Sequence, residues 1–364
     1  MVFRKTIWIG VGLIAALCAG SVLAGDAAMS DVSGGSVQLM DRKPSNVRMV
    51  SESVDMKLGA WGAKTGWPVF VRCQFFLKNN GPATDVTVGF PEHLTASYDG
   101  ALGEKIKNFK SWVDGTPAVT KYTHLIPPKR KHVHEKQDYK AWYVAKVHFD
   151  AGQTRRVDDV YSSRLGGYDR PGWPCNQNLM GYTLQTGASW QGTVGSAVVK
   201  ADLSDVGNFF DITAWPKGFA RLGNVYTWKM TDFTPKEDIR IKFVAKAPVL
   251  IEPGSGLPDN LEPVFVKDSV LMVSSRIVSY DDRGIVQCDG KRGSLHRGGH
   301  VLELADGSKS ATLDGRSITM KTAPVGYESD LAVPLDETVK LLGGTVTYDK
   351  TGRPKVIWPR RSRK

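Results

Sequence analysis

The chain carries 364 residues, 41% of them hydrophobic, and 48 Lys and Arg against 37 Asp and Glu give it a formal net charge of +11. This length is more than one small module needs and allows two domains with full cores. The charge favours anionic surfaces as partners.

Arg4 and Lys5 precede an apolar run from Ile7 to Ala19, and Val22, Leu23 and Ala24 offer a small-residue cleavage site. The pattern reads as a secretory signal peptide over residues 1–24, with the mature chain starting near Gly25. The apolar run falls short of the ~20 residues that a bilayer-spanning helix needs, so no transmembrane span is expected in the mature chain. The protein is therefore expected to be extracytoplasmic: secreted, at the cell surface or in the periplasm of a bacterium. Cleavage leaves 46 basic and 37 acidic groups, a net +9. That balance suits teichoic acid, acidic polysaccharide, peptidoglycan or lipid headgroups, and nucleic acid is not expected as a partner outside the cell. Three cysteines remain, so at least one thiol is free or paired between chains. Cys73 and Cys175 are the candidate disulfide, although Cys73 falls on an apolar strand face where a buried free thiol is common.

Strand patterns dominate the first two thirds of the mature chain. Val69, Val71, Cys73, Phe75 and Leu77 alternate with Phe70, Arg72, Gln74, Phe76 and Lys78; turn chemistry follows at Asn79–Pro82, and Val86, Val88 and Phe90 read as the returning strand. A short helix is a candidate around Ala101–Trp112. Alternation returns at Tyr143–Phe149, before a turn at Asp150–Gln153, and again at Ile239–Phe243. Short strands separated by turns predict an antiparallel β-sandwich over residues 25–246.

Eight of the ten tryptophans lie within residues 61–228. Trp61, Trp67, Trp173 and Trp215 each stand near Gly or Pro, where loops at the rim of a sandwich present side chains, and they are the candidates for stacking on sugar rings, with structural packing as the favoured competing reading. Trp142, Trp190 and Trp228 fall in strand-like runs and are assigned to the core. His132 and His134 are spaced to share one strand face, with His124 upstream and Glu135 adjacent, a pattern that can present two imidazoles to a metal. The neighbouring Lys129, Arg130 and Lys131 oppose a cation there, and a solvated basic loop is the competing reading.

Residues 247–263 hold four prolines and two glycines and read as a linker. Beyond it lies a degenerate repeat. Leu271, Val273, Gly284, Val286 and Asp289 recur as Leu331, Val333, Gly344, Val346 and Asp349, all at an offset of 60 residues. Repeated units of this kind usually build a scaffold. In the second copy Val333-Pro334-Leu335 leads into Asp336–Leu342, whose Leu335, Val339 and Leu342 share one helical face. Asp336 and Glu337 sit where the helix dipole favours anions, and Gly343 suits a left-handed cap. In the first copy Ser274 and Ser275 replace Pro-Leu and Arg283 precedes Gly284, so the case for a helix is weaker there than in the second copy. Cys288 takes the place of Tyr348 and reads as a packing residue.

Val333-Pro334-Leu335, Gly343-Gly344 and Val346-Thr347-Tyr348-Asp349 resemble the stalk repeat of the copper amine oxidase N-terminal-like family. The resemblance implies an α+β module over residues 264–359, a short helix against an antiparallel sheet, followed by a basic tail at 360–364. Gly34-Gly35, Val47–Glu52, Phe75–Gly81 and Val88–Pro91 also resemble an uncharacterised exported β-rich domain of bacterial envelope proteins, which implies no known chemistry. His132-Val133-His134 has the form of the copper ligands of amine oxidases. The sequence lacks the Asn-Tyr-Asp/Glu motif that supplies the quinone tyrosine and lacks a region to make the catalytic domain, so no cofactor is expected.

No Gly-x-Ser-x-Gly elbow and no His-Glu-x-x-His motif occurs. The first reading is thus a mainly β, non-enzymatic, exported cell-envelope scaffold or adhesion and ligand-binding protein. Its expected ligands are cell-wall polysaccharide, peptidoglycan or a surface protein. The alternative is a metal-dependent envelope hydrolase or oxidase centred on His124, His132 and His134.

Overall fold

A computed structural model describes residues 34–41, 43, 45–60, 67–92, 94–96, 102–104, 106–124, 141–167, 177–246, 249–250, 264–279, 284–327 and 329–359. The architecture is mainly β, with one α-helix among the described residues. In the N-terminal part an eight-stranded sheet runs in the order Ala220–Leu222, Val225–Phe233, Val194–Asp202, Val47–Leu58, Pro68–Asn79, Thr154–Arg164, Lys107–Val113 and Thr116–Pro117. One of its faces is apolar because each long strand alternates: Val69, Val71, Cys73, Phe75 and Leu77 are buried, as are Val54, Met56 and Leu58 beside them.

Two four-stranded sheets cover that face. One is ordered Gln38–Leu39, Thr84–Glu92, Ala141–Phe149 and Lys121–Thr123. Its Phe90 packs on Tyr161 of the large sheet with ring centroids 5.1 Å apart. The other is ordered Gly166–Gly167, Gln177–Tyr182, Ile239–Ala245 and Phe210–Trp215. Its Phe210 and Phe243 meet Trp67 edge-on at 6.1 and 6.5 Å.

Three expectations are corrected here. The turn after Asn79 does not return a hairpin: Pro68–Asn79 pairs with Val47–Leu58 and Thr154–Arg164, while Thr84–Glu92 crosses to the opposite sheet. The buried Asn79 explains the crossing, since its Nδ2 donates to Pro82 O at 2.7 Å and to Asp150 O at 3.0 Å, tying together the two turns that change sheets. The sandwich is not purely antiparallel, because Val194–Asp202 runs parallel to Val47–Leu58. Residues around Ala101–Trp112 form strands Leu102–Glu104 and Lys107–Val113 in place of a helix, with Asp159 of the neighbouring strand paired to Ser111.

Polar groups interrupt the sandwich core. The carboxylate of Glu52 accepts from Ser36 Oγ at 2.5 Å and from Tyr182 Oη at 2.6 Å. Burial pushes the Glu52 carboxyl up to about 7, against the two hydroxyl donors, which pull it down. Burial likewise raises Asp159 to about 7, with Ser111 opposing and Asp158 adding to the rise. Cys73 lies between Val54 and Asp159 as a free buried thiol, and burial together with the Asp159 charge raises it well above the usual thiol range. It is a packing residue, and its candidate partner Cys175 lies outside the described residues.

In the C-terminal part the repeat is visible as a local twofold. Val270–Ser274 pairs antiparallel with Asp330–Pro334, and Val273 faces its own repeat mate Val333. The partners of Met272 and Ser274 are Pro334 and Ala332, which are the mates of Ser274 and Met272. The second copy continues into the helix Leu335–Leu341, whose Leu335 and Val339, with Leu342 just beyond, are fully buried. The first copy makes only the 3-10 turn Ser275–Val278. Ser274 and Ser275 both donate to the buried Asp330 carboxylate of the second copy, and Ser274 Oγ accepts from Arg276 N, so the first copy turns early around that acid. A five-stranded meander runs from Ile285–Cys288 to Arg316–Thr319, and a three-stranded sheet joins Thr345–Tyr348, Pro354–Ile357 and Val249–Leu250.

The span read as a linker therefore contributes structure, since Val249–Leu250 pairs in parallel with Pro354–Ile357. Lys246, at the end of the sandwich, is itself buried and donates through Nζ to Asn208 O at 2.8 Å and to Thr351 O. Among the described residues no helix is long and apolar enough to cross a membrane.

Candidate functional site

The sheet containing Gln177–Tyr182, Ile239–Ala245 and Phe210–Trp215 turns one face inward and one outward. Ile239, Ile241 and Phe243 are fully buried, which forces Arg240 and Lys242 to the opposite side. Register then sets their neighbours. Arg240 lies between Gly181 and Trp215, and Lys242 between Leu179 and Thr213. The result is a groove of about 520 Å³ lined by Leu179, Gln185 and Trp215 and by the charged residues Lys236, Glu237, Asp238, Arg240 and Lys242.

Trp215 is 40% exposed. The loop after it is held from below: Trp228 Nε1 donates to Pro216 O at 2.8 Å, and Phe219 packs on Tyr226 and Trp228 at 5.2 and 5.4 Å. Lys217 Nζ lies 5.9 Å from the centre of the Trp215 ring. A broad aromatic surface is thereby presented on a fixed support next to cations, an arrangement that costs a ligand little ordering.

Asp238 organises the other wall. Its Oδ1 accepts from the backbone N–H of Leu184 at 3.0 Å and of Gln185 at 3.2 Å, and its Oδ2 accepts from Gln185 Nε2 at 3.1 Å. These bonds fix the Gln185 amide so that Nε2 is used and Oε1 remains. Gln185 is only 8% exposed, and its Oε1 has no hydrogen-bond partner. An unsatisfied buried acceptor costs about 1–3 kcal/mol.

The remaining candidates fall differently. Trp67 is corrected: at 6% exposure it is a core residue, since Phe210 and Phe243 from two other strands close over it. Trp61, Trp173, His132, His134 and Glu135 lie outside the described residues. His124 is exposed, with its ring 5.5 Å from Tyr122. Among the described residues no three His, Cys, Asp or Glu side chains are grouped to hold a metal ion. Trp142, Trp190 and Trp228 are buried. Sequence reasoning missed Gln185, Arg240 and Lys242 as a set. The alternation of Arg240 and Lys242 against Ile239, Ile241 and Phe243 was the available signal, whereas nothing near Gln185 announces its pairing with Asp238.

A second, larger concavity of about 730 Å³ lies on the meander. Its axis is one cross-strand row, Gln287, Ser294, Glu303, Thr312 and Ser317, contributed by five successive strands. Leu295, Leu302 and Ala311 face the opposite way into the core. Within the row Thr312 donates to Glu303, and Ser294 Oγ lies 2.8 Å from His296 Nε2 on its own strand. No aromatic side chain lines it.

The fold and groove define a mainly β protein with a sandwich followed by a small repeat-built module. Residues 254–357 match the family model described as the copper amine oxidase N-terminal domain, so the C-terminal part of the chain carries such a domain. No curated protein matches the chain. Among solved structures, the chain is similar to a candidate nutrient binding protein from Legionella pneumophila, at 19% identity and a TM-score of 0.48 over 59% of this chain and 72% of that one. It is also similar to an M1 zinc metallopeptidase from Deinococcus radiodurans, at 10% identity and a TM-score of 0.29 over 56% and 43% of the two chains.

Proposed function

We propose that this is an exported, non-catalytic protein of the bacterial cell envelope that binds wall carbohydrate through the groove beside Trp215. The sandwich, residues 25–246, is the binding domain, and the module at 264–359 is a scaffold joined to it. The observation that carries this reading is that an exposed, supported Trp215 and Gln185, whose buried Oε1 has no partner, line one groove. Aromatic faces stack on the apolar faces of sugars, and a buried acceptor rewards a ligand rich in hydroxyl donors.

Two further points support a non-catalytic role. The matched domain is the non-catalytic N-terminal part of copper amine oxidases. Both described thiols, Cys73 and Cys288, are shifted upward by burial and are poor nucleophiles.

The test is co-sedimentation of residues 25–364 with purified peptidoglycan and crude wall polysaccharide across a salt series. Binding that survives high salt is expected. Binding lost at modest salt would mean that net charge alone explains it, and no binding in any salt would overturn the carbohydrate reading.

A further inference from the structure

We infer that the uncovered face of the eight-stranded sheet is a docking surface for a linear polysaccharide bearing carboxylates, laid across the strands on the side of the sandwich away from the groove. The inference goes beyond the groove reading and shares with it only the cell envelope as its setting.

The two four-stranded sheets cover one face of the large sheet, so alternation sends every second residue of its strands to the other side. Lys57, Arg72, Lys78, Lys110, Lys200 and Lys229 point there, and all six are exposed. Among the described residues the carboxylates of that face are Asp55, Asp158, Asp202 and Asp232. Asp158 is held by Arg156 at 2.7 Å and Asp232 by Arg48 at 3.1 Å, so those charges cancel. Asp55 stands in register between Lys200 and Arg72, and Asp202 stands beside Lys57. At the strand ends Asp114 is paired with Arg155, and Asp205 is exposed. The six exposed cations thus outnumber the carboxylates left to offset them, Asp55, Asp202 and Asp205. Lys78 is set opposite Arg48 in the ladder, a like-charge neighbour that folding does not reward. Lys110 and Lys229 stand opposite the apolar Val160 and Val198.

The shape of the face selects among anionic partners. Strands lie about 4.8 Å apart and each turns by about 20–25° from the last, so the five steps from Val225–Phe233 to Lys107–Val113 cover about 24 Å and turn by about 100°. A flat bilayer meets only part of a face twisted in this way, whereas a linear chain follows it. Phe70, 52% exposed, is in register with Lys57 and offers its ring to a sugar face. Arg72 suits a carboxylate through two parallel hydrogen bonds, and the lysines act as point charges along the chain. A second copy of this protein would bring the same positive excess and be repelled.

The test is calorimetric titration of residues 25–364 at low salt with polygalacturonate, with dextran and with phosphatidylglycerol vesicles. Polygalacturonate should bind at least about tenfold more tightly than dextran, and its binding should weaken as salt is added. The triple variant Arg72→Gln, Lys110→Gln, Lys229→Gln should weaken polygalacturonate by about tenfold or more and flatten the salt dependence. The triple variant Lys291→Gln, Lys321→Gln, Lys340→Gln removes the same charge from exposed positions of the C-terminal module and should leave binding nearly unchanged. Equal weakening by both variants would mean that net charge alone attracts the polymer, and it overturns the face as the site. Equal binding of dextran overturns the acid preference, and vesicles bound in preference to polygalacturonate overturn the polysaccharide in favour of a lipid surface. Trp215→Ala should keep its low-salt affinity for polygalacturonate; a loss there would place the polymer in the groove and overturn this inference. Absence of salt-resistant wall binding, by contrast, overturns the groove reading and leaves this one standing. If the first triple variant does not fold, amine-reactive labelling of the wild-type chain decides: polygalacturonate should protect Lys110, Lys200 and Lys229 and leave Lys291 and Lys321 labelled, and uniform labelling overturns the inference.

Discussion

The two concave sheet faces of this protein are built by the same rule and end in opposite states. On the sandwich, the strand Ile239–Ala245 buries every second residue and leaves Arg240 and Lys242 outside beside Trp215. On the meander, the alternation that buries Leu295, Leu302 and Ala311 leaves a polar row from Gln287 to Ser317. On the meander row Thr312 donates to Glu303. The sandwich face sets Lys236, Arg240 and Lys242 beside Glu237 and Asp238 and leaves an aromatic ring 40% exposed. That difference supports the proposal that the sandwich groove is the ligand face and the meander the scaffold.

The largest effect should come from attacking the scaffold while sparing the groove. Asp330→Ala removes the acceptor shared by the hydroxyls of Ser274 and Ser275 and the backbone of Leu331, which should cost about 3 kcal/mol or more, read as a lower denaturant midpoint. Wall binding of the remaining folded protein should be unchanged at low temperature. A matching loss of binding would tie the two regions together.

Acidity should act on the sandwich core next. The Glu52 carboxyl is raised from 4.5 to about 7 in the folded protein, so the folded state holds its proton more tightly than the unfolded chain does. Its contribution is fully present below pH 4.5 and is lost as pH rises to about 7. We expect stability to fall by about 2–3 kcal/mol over that window from Glu52, and Asp159, raised from 3.8 to about 7, should add in the same direction. Chemical denaturation at pH 5 and pH 8 measures the fall, and Glu52→Gln should flatten its share. An unchanged pH slope in that variant would contradict the assignment.

A smaller effect is expected at the groove wall. Gln185→Leu removes the orphaned Oε1 and also the bond from Nε2 to Asp238, so stability should change by less than about 1 kcal/mol while saccharide affinity falls several-fold. The smallest change should follow Thr312→Val on the meander row, within about 0.5 kcal/mol in stability and without effect on binding.

Much of the scaffold was legible in the sequence because its signals are local. Leu335, Val339 and Leu342 announce a buried helical face, and the offset that relates Val273 to Val333 announces the strands that pair at the twofold. The turn at Asn79–Pro82 was legible as a turn but not as a sheet crossing, since turn chemistry reports the bend and says nothing of which strand waits beyond it. The tryptophans show the same limit sharply. Trp67-Pro68 and Trp215-Pro216 are the same dipeptide, yet Trp67 is buried and Trp215 exposed, because Phe210 and Phe243 reach one and not the other. Gln185 was invisible for a related reason: its role depends on Asp238, far away in the chain and brought near only by the fold.

The most direct measurement is a side-by-side co-sedimentation of the wild-type chain, Trp215→Ala and Thr312→Val with purified cell walls at high salt. The account predicts that Thr312→Val pellets like wild type and that Trp215→Ala loses about nine tenths of its affinity, a tenfold change. Equal retention of all three proteins, or loss confined to Thr312→Val, would contradict the assignment of the sandwich groove as the ligand face.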